Sequence, residues 1–301
     1  MMNNVVLTAA PMEAVIGKKI ASQLGVDFTP FHITTFPSGE FCIDASEILT
    51  GKTVILLHHT PFPVNHLVVQ LMLAMNAIRQ RKPDRLILLM PYFPYSRQDR
   101  WRNEGRAIGA EAMAQLIQMS KPDGLLVMDL HSTKIIDYFD IPVTHITANS
   151  LFAQDIATRF SLNDVCLVSP DAGGKERVQA IAQILKVPHM HFMKKRLSAD
   201  DMIVESTSPM IEKKIYIFID DIIDTGKTLL NAAETCPPIS QMHIYATHGL
   251  LSQHSSFIKL NNQFKSITVT DTLQQPTIAP KVRVISCWNP FLETIKGVCA
   301  V

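Results

Sequence analysis

Near-zero net charge and the absence of any metal-spaced cysteine set narrow the field first. The formal net charge is +1, so no bulk basic surface supports nucleic-acid binding, and any basic site must be local. The five cysteines, Cys42, Cys166, Cys236, Cys287 and Cys299, are scattered without metal-ligand spacing, and reduced thiols in a cytoplasmic protein are the expectation. The apolar stretch 67–75 is flanked by Asn65, His66 and Asn76 and interrupted by Gln70. It is too short and too polar to span a bilayer. The N-terminus lacks the basic-then-apolar pattern of a signal peptide, so a cytoplasmic protein with no membrane partner is expected. No low-complexity linker, charge run or clear internal repeat is present. Neither a nucleotide P-loop spacing nor a Rossmann fingerprint occurs; in the segment 215–228 only Gly226 precedes Lys227.

What is there is a periodic α/β pattern. At 301 residues the chain is long enough for two domains of ordinary size, each with its own core. Hydrophobic residues make up 47% and charged residues 18%, a balance that fits a globular protein and argues against extensive disorder. Strands are expected at 54–57, 86–90, 125–128, 165–168, 189–193, 215–219, 243–246 and 267–269. Helices are expected at 12–24, 66–79, 110–119, 151–160, 175–185 and 229–235. Such alternation argues for βαβ units and largely parallel sheets flanked by helices, an α/β fold of two domains. The segment 141–146 is the best candidate boundary, giving domains 1–146 and 147–301. A loose echo supports the division: the run 86–90 leads into a chemistry-rich loop, as 215–219 does.

The most informative stretch is 215–228. Five apolar residues read as a buried parallel strand, with Asp220 and Asp221 where it ends. A loop of Asp224, Thr225, Gly226, Lys227 and Thr228 then opens a helical pattern at Leu229. Ligands of open α/β sheets bind outside the carboxyl ends of strands, and a loop turning into a helix offers backbone N–H groups to an anion. One ligand with hydroxyls for the aspartates and a phosphate for the loop fits this arrangement, and that is a phosphorylated sugar. The plainer alternative makes Asp224 a helix cap. The stretch resembles the phosphoribosyl-binding signature of the type I phosphoribosyltransferase fold.

Other segments carry chemistry in strand-following loops. In 91–100, Arg97 and Arg100 have the planar multi-donor groups that suit polyphosphate oxygens, and Gln98 suits a base or ribose; intramolecular Arg–Asp pairing through Asp99 is the simpler alternative. Phe36 to Glu40, with Ser38 and Gly39, reads as a hairpin turn or a base-stacking platform. Asp129 and His131 follow the run 125–128, and alternation puts both on one side, as cation ligands or as a hydrogen-bonded pair. Asp171 is followed by Gly173 and Gly174, a carboxylate that serves as metal ligand or helix cap, with glycines that let a ligand approach. Lys194, Lys195 and Arg196 precede the polar segment 197–201, a solvated basic edge or a phosphoryl-transfer loop.

In this order along nearly the whole chain, these motifs, with the Asn65 helix, residues 138–142 and residues 246–249, are similar to those of the ribose-phosphate diphosphokinases, also called phosphoribosyl pyrophosphate synthases. The resemblance implies two domains, each like a type I phosphoribosyltransferase, with ATP on the N-terminal side and ribose 5-phosphate on the C-terminal side, and a last helix packing back on the N-terminal domain. It implies Mg2+ as cofactor and a homo-oligomer, either a dimer or a hexamer of dimers. Phe36, Ser38, Gly39, Glu40, Arg97, Gln98, Asp99 and Arg100 would bind ATP. His131 and Asp171 would be metal-linked, with Asp129 and Asp140 as further candidates. Lys194 and Arg196 match the catalytic-loop pair, Arg196 also meeting the sugar phosphate. Asp220 and Asp221 would take ribose hydroxyls, and residues 224–228 the 5-phosphate. The implied reaction is attack of the anomeric hydroxyl on the β-phosphorus of ATP, releasing AMP.

Four positions depart from the family pattern. Ser38 stands where Asp is usual, Thr144 replaces another frequent Asp, and 101–107 differs from the common bacterial form, which leaves regulation by phosphate or ADP open. Lys227 occupies a usual Gly position, as in the loop of hypoxanthine-guanine phosphoribosyltransferases. Two other functions stand beside the synthase: a phosphoribosyltransferase consuming the diphosphate sugar, which would not need the first domain, and a non-catalytic synthase-associated subunit, in which the Lys194–Arg196 loop would be disrupted.

Overall fold

The computed structural model describes residues 2, 4–59, 63–196, 202–206, 211–237, 240–273 and 281–299, with the side chains of 194–196, 202–206 and 254 outside that description. The chain divides into two compact units. One comprises Met1–Ile146, Thr272–Gln274 and Trp288–Val301; the other comprises Thr147–Asp271 and Gln275–Cys287.

The first unit is built from β1 (Val5–Ala9), α1 (Ala14–Leu24), β2 (Asp27–Phe28), β3 (His32–Thr35), β4 (Phe41–Asp44), β5 (Thr53–Leu57), α2 (Val64–Gln80), β6 (Arg85–Leu89), α3 (Gly109–Met119), β7 (Gly124–Met128) and β8 (Val143–Ile146). Its sheet runs β2-β1-β5-β6-β7-β8, every pairing parallel. The central strands are buried along nearly their whole length, because a sheet covered by helices on both faces leaves no solvent side to pattern. Strands β3 and β4 form a separate antiparallel hairpin.

The second unit contains α4 (Asn149–Arg159), β9 (Val165–Ser169), α5 (Lys175–Leu185), β10 (His189–Arg196), β11 (Met202–Ser206), β12 (Ile215–Ile223), α6 (Lys227–Ala233), β13 (Gln241–Gly249), α7 (His254–Gln263), β14 (Ser266–Thr270) and β15 (Val282–Ile285). Here the order is β11-β10-β9-β12-β13-β14-β15, parallel throughout except for the antiparallel β10–β11 edge. Helix α8 (Trp288–Cys299) belongs to the first unit, with Trp288, Phe291, Leu292 and Ile295 buried along one face. No helix among the described residues is long and apolar enough to cross a membrane.

Each run expected as a strand forms one, and β10, β12 and β13 extend beyond their expected ends. Helix α6 begins at Lys227, ahead of Leu229, and residues 143–146, inside the candidate boundary segment, are the edge strand β8. The echo between 86–90 and 215–219 does not survive the topology. Apart from β11, both sheets share one strand order, in which β12 occupies the place of β5 and β6 matches β13. Periodicity reveals that a strand exists but carries no information about its place in the sheet.

On one side of the second sheet, buried polar groups tie helix to strand. Asp155 of α4 accepts a hydrogen bond from the Tyr245 hydroxyl and pairs with Arg283. Nearby, His243 is buried, its Nδ1 is 2.8 Å from Ser266 Oγ and its ring packs on Phe160. Burial, with the charges of Arg159 and Lys265, pushes the His243 imidazole down to about 4 from 6.5. The unfolded chain therefore takes up a proton between those values while the fold does not, so this contribution to stability is complete above pH 6.5 and is lost as pH falls toward 4. We predict a loss of roughly 3 kcal/mol over that window, measured by urea unfolding, and a shallower pH dependence in His243→Gln.

Candidate active site

Two crevices follow from the strand order. In each sheet the direction of winding reverses at one point, between β1 and β5 and between β9 and β12, and such switch points are where open α/β sheets bind ligands. The second crevice carries the 215–228 motif. Strand β9 ends at Ser169 because Pro170 has no N–H to continue the ladder. Its pairing with β12 stops at Phe218↔Val168, whereas β12 continues beside β13 as far as Ile223↔Gly249. Asp220 and Asp221 thus lie within a strand supported on one edge and not where it ends, a correction to the sequence reading.

Tyr216 and Phe218 of β12 join the buried cluster of Leu229 from α6, Leu260 from α7 and Phe264 just beyond it, and the Asp220 and Asp221 side chains hydrogen-bond to each other. Asp221 is buried and Asp220 half-buried, and Asp220 Oδ1 accepts the Asp221 N–H at 2.9 Å. Burial and the neighbouring Asp221 carboxylate, with Asp171 adding to them, hold the Asp220 carboxyl well above the usual carboxylate range, while Arg177 opposes the shift.

The loops flanking these carboxylates are tightly tied. Asp171 Oδ1 accepts the N–H groups of Gly173 at 2.9 Å and Gly174 at 3.4 Å, so it organises the start of α5. A side chain at Gly174 would meet Ser169 Oγ at 2.6 Å. After β12, Asp224 accepts hydrogen bonds from both the backbone N–H and the hydroxyl of Ser252. Asp224 is thereby a strut between the loop and the β13–α7 connection, and not the cap of α6, which has none from a side chain. The Ile223 carbonyl accepts from Leu250 and Leu251, locking the same connection. Gly226 takes φ 67°, and a Cβ there would meet Leu260 at 2.5 Å; Thr225 and Lys227 are exposed and Thr228 half-buried. Ser252 was missed from sequence because its contact lies 28 residues from Asp224.

The first unit presents the other expected residues. Phe36, Ser38, Gly39 and Glu40 form the exposed tip of the β3–β4 hairpin, closed by Phe36 N–H to the Glu40 carbonyl at 2.7 Å and by Ser38 Oγ to Glu40 at 3.0 Å. Along 91–100, Arg97, Gln98 and Arg100 are exposed while Ser96 and Asp99 are buried. Tyr95 sits at φ 60° with its hydroxyl on Asn65, and the Tyr138 hydroxyl donates to the Asp99 carbonyl at 2.8 Å. The loop is held from inside, leaving its cationic groups outward; the Asp99 carboxylate lies 3.8 Å from Arg100.

Asp129, His131 and Asp140 do not form one group. Strand β7 ends at Met128, and Asp129 takes φ 39°, buried, with its N–H on the Ile146 carbonyl. His131, two residues on, is exposed. Asp140 precedes β8, which pairs in parallel with β7 from Leu125↔Val143 to Met128↔Ile146, so it stands at the opposite end of the sheet from Asp129, roughly 10 Å or more away. Among the described residues no three His, Cys, Asp or Glu side chains are grouped to hold a metal. Lys194 and Arg196 end β10, their side chains outside the described residues, as is 197–201.

An acidic strand segment, a glycine-bearing loop and a switch-point crevice define a protein of the phosphoribosyltransferase class, and residues 137–236 match the phosphoribosyl transferase domain family. Residues 5–120 match the N-terminal domain of ribose phosphate pyrophosphokinase. The chain belongs to the ribose-phosphate pyrophosphokinase family. Relatives include the Aquifex aeolicus enzyme, 34% identical over 90% of this chain and 88% of the relative, and that of Methanopyrus kandleri, 30% identical over 89% and 93%. The crystal structure of phosphoribosylpyrophosphate synthetase from Mycobacterium smegmatis is similar at a TM-score of 0.88 and 27% identity, covering 98% of this chain and 99% of that one.

Replacing Gly226 tests the loop independently of activity. Gly226→Ala forces a non-glycine residue into the left-handed region and against buried Leu260. The expected loss is about 3 kcal/mol in urea unfolding.

Proposed function

We propose that this chain is a ribose-phosphate diphosphokinase that transfers the diphosphoryl group of Mg-ATP to the C1 hydroxyl of ribose 5-phosphate, giving 5-phosphoribosyl 1-diphosphate and AMP. The observation that carries this reading is the coexistence, in one chain, of the pyrophosphokinase N-terminal domain with a phosphoribosyltransferase-type crevice. A phosphoribosyltransferase would need only the latter. A non-catalytic subunit would not be expected to retain both Lys194 and Arg196. Homo-oligomeric assembly in the cytoplasm is part of the same proposal.

On the sugar side, Asp220 and Asp221 serve the ribose hydroxyls, and residues 224–228 take the 5-phosphate, with Lys227 adding a cation where Gly is usual in the family. On the nucleotide side, Arg97, Gln98 and Arg100 take the phosphates and ribose, and Phe36, with Ser38, Gly39 and Glu40, takes the base. The carboxylates Asp171 and Asp220, both half-buried, outnumber the single Arg177 guanidinium near them, a surplus that suits a divalent cation. Mg2+ binds through one or two carboxylates together with substrate phosphates. Asp171 would hold it on the sugar side and His131 on the nucleotide side; when bound, it offsets charge on the phosphate oxygens.

Catalysis then consists of positioning and charge stabilisation. The phosphate loop fixes one end of the sugar and the aspartates orient its ring, so that the C1 hydroxyl faces the β-phosphorus. Lys194 and Arg196 meet charge that builds on the AMP leaving group. No covalent enzyme intermediate is needed.

A coupled assay decides the function: AMP is expected only when ribose 5-phosphate and Mg-ATP are both present. Its absence across varied metal and phosphate conditions would overturn the proposal. Lys194→Ala is expected to lower kcat about a hundredfold or more while the KM for ATP changes little, since its partner charge develops late. Equal losses in both would contradict a transition-state role.

A further inference from the structure

Behind the acidic pair lies a cation outside the motif. Arg177, on the first turns of α5, places Nη1 3.8 Å from Asp221 Oδ1, and the two side chains are only 13% and 8% exposed. A buried carboxylate without a partner is costly, and removing one member of such a pair leaves the other uncompensated. Asp221 is bound in turn to Asp220 through its own backbone, the Asp221 N–H donating to Asp220 Oδ1. The chain of contact therefore runs from α5 through Asp221 to the half-buried Asp220.

This arrangement answers a specific mechanical problem. Beyond Phe218, β12 has lost its β9 neighbour, and the segment carrying the pair is held by β13 on one edge alone. An ion pair to α5 supplies the missing restraint where the ladder cannot. We propose that Arg177 is a positioning residue for the sugar site: its guanidinium holds Asp221, and through it sets Asp220 where the diol of a pentose phosphate binds. The inference rests on the sugar-side reading above and adds to it a residue on a different element.

Three variants test it: Arg177→Met, Arg177→Lys and the double change Arg177→Met with Asp221→Asn. Each is measured by calorimetric binding of ribose 5-phosphate, by KM for each substrate and kcat, and by thermal unfolding. Arg177→Met is expected to weaken ribose 5-phosphate about tenfold or more, in KM and in calorimetry, while the KM for ATP stays within about twofold. Arg177→Lys should recover part of the loss, as a charge without the planar fork. The double variant should unfold at a higher temperature than Arg177→Met, because the uncompensated carboxylate is gone, while its sugar affinity stays low because Asp221 is itself part of the site. Unchanged sugar affinity in a folded Arg177→Met, parallel losses for both substrates, or a double variant no more stable than the single would each overturn the positioning role while the synthase reading stands. A wild-type chain that neither binds ribose 5-phosphate nor forms AMP would overturn both.

Discussion

The Asp220–Asp221 segment depends on how far one strand outruns its neighbour. The pairing of β9 with β12 stops at Val168, just ahead of Pro170, and β12 goes on beside β13 alone to Ile223. Asp220 and Asp221 therefore lie on a stretch without a β9 neighbour, which leads into the loop that begins at Asp224. Hydrogen bonds that a central strand would normally exchange on both edges are replaced by specific ties: Arg177 to Asp221, Ser252 to Asp224, and the Ile223 carbonyl to Leu250 and Leu251. These contacts supply restraint where a second ladder is missing, and a site that must hold its groups to fractions of an ångström needs such restraint.

The two units show how one topology takes on different chemistry. Their sheets share a strand order, but the strand that carries the aspartates in the second unit corresponds to β5 in the first, which ends in His58 and His59. There, burial pushes the His58 imidazole down, and the His59 N–H donates to the Glu13 carboxylate. The expected nucleotide-side groups lie instead on the loop after β6 and on the β3–β4 hairpin. In the first unit the expected groups sit on connections, whereas in the second Asp220 and Asp221 belong to β12 and Lys194 and Arg196 to β10.

Much of this was legible from residue order. The buried strands appear as uninterrupted apolar runs such as 54–57 and 215–219, and the loop at 224–228 is visible because a glycine and a helical pattern follow the strand. The Gly39 turn reads correctly as a hairpin for the same local reason. Legibility failed where the deciding contact was remote. Asp129 and Asp140, both further metal candidates by resemblance, stand at opposite ends of the sheet because β7 pairs in parallel with β8. Asp224 reads as a helix cap until Ser252 is seen to hold it.

The sequence by itself determined the α/β class, the strands that are buried on both faces, and the order of the motifs that mark a ribose-phosphate pyrophosphokinase. All of these are properties of neighbouring residues, fixed by backbone period and local chemistry. Only the tertiary structure decided that Arg177 pairs with Asp221, that Asp99 is buried while Arg97 and Arg100 are exposed, and that β12 matches β5. Those depend on strand order, register and helix placement, which arise from contacts between residues far apart in the chain and leave no period in it.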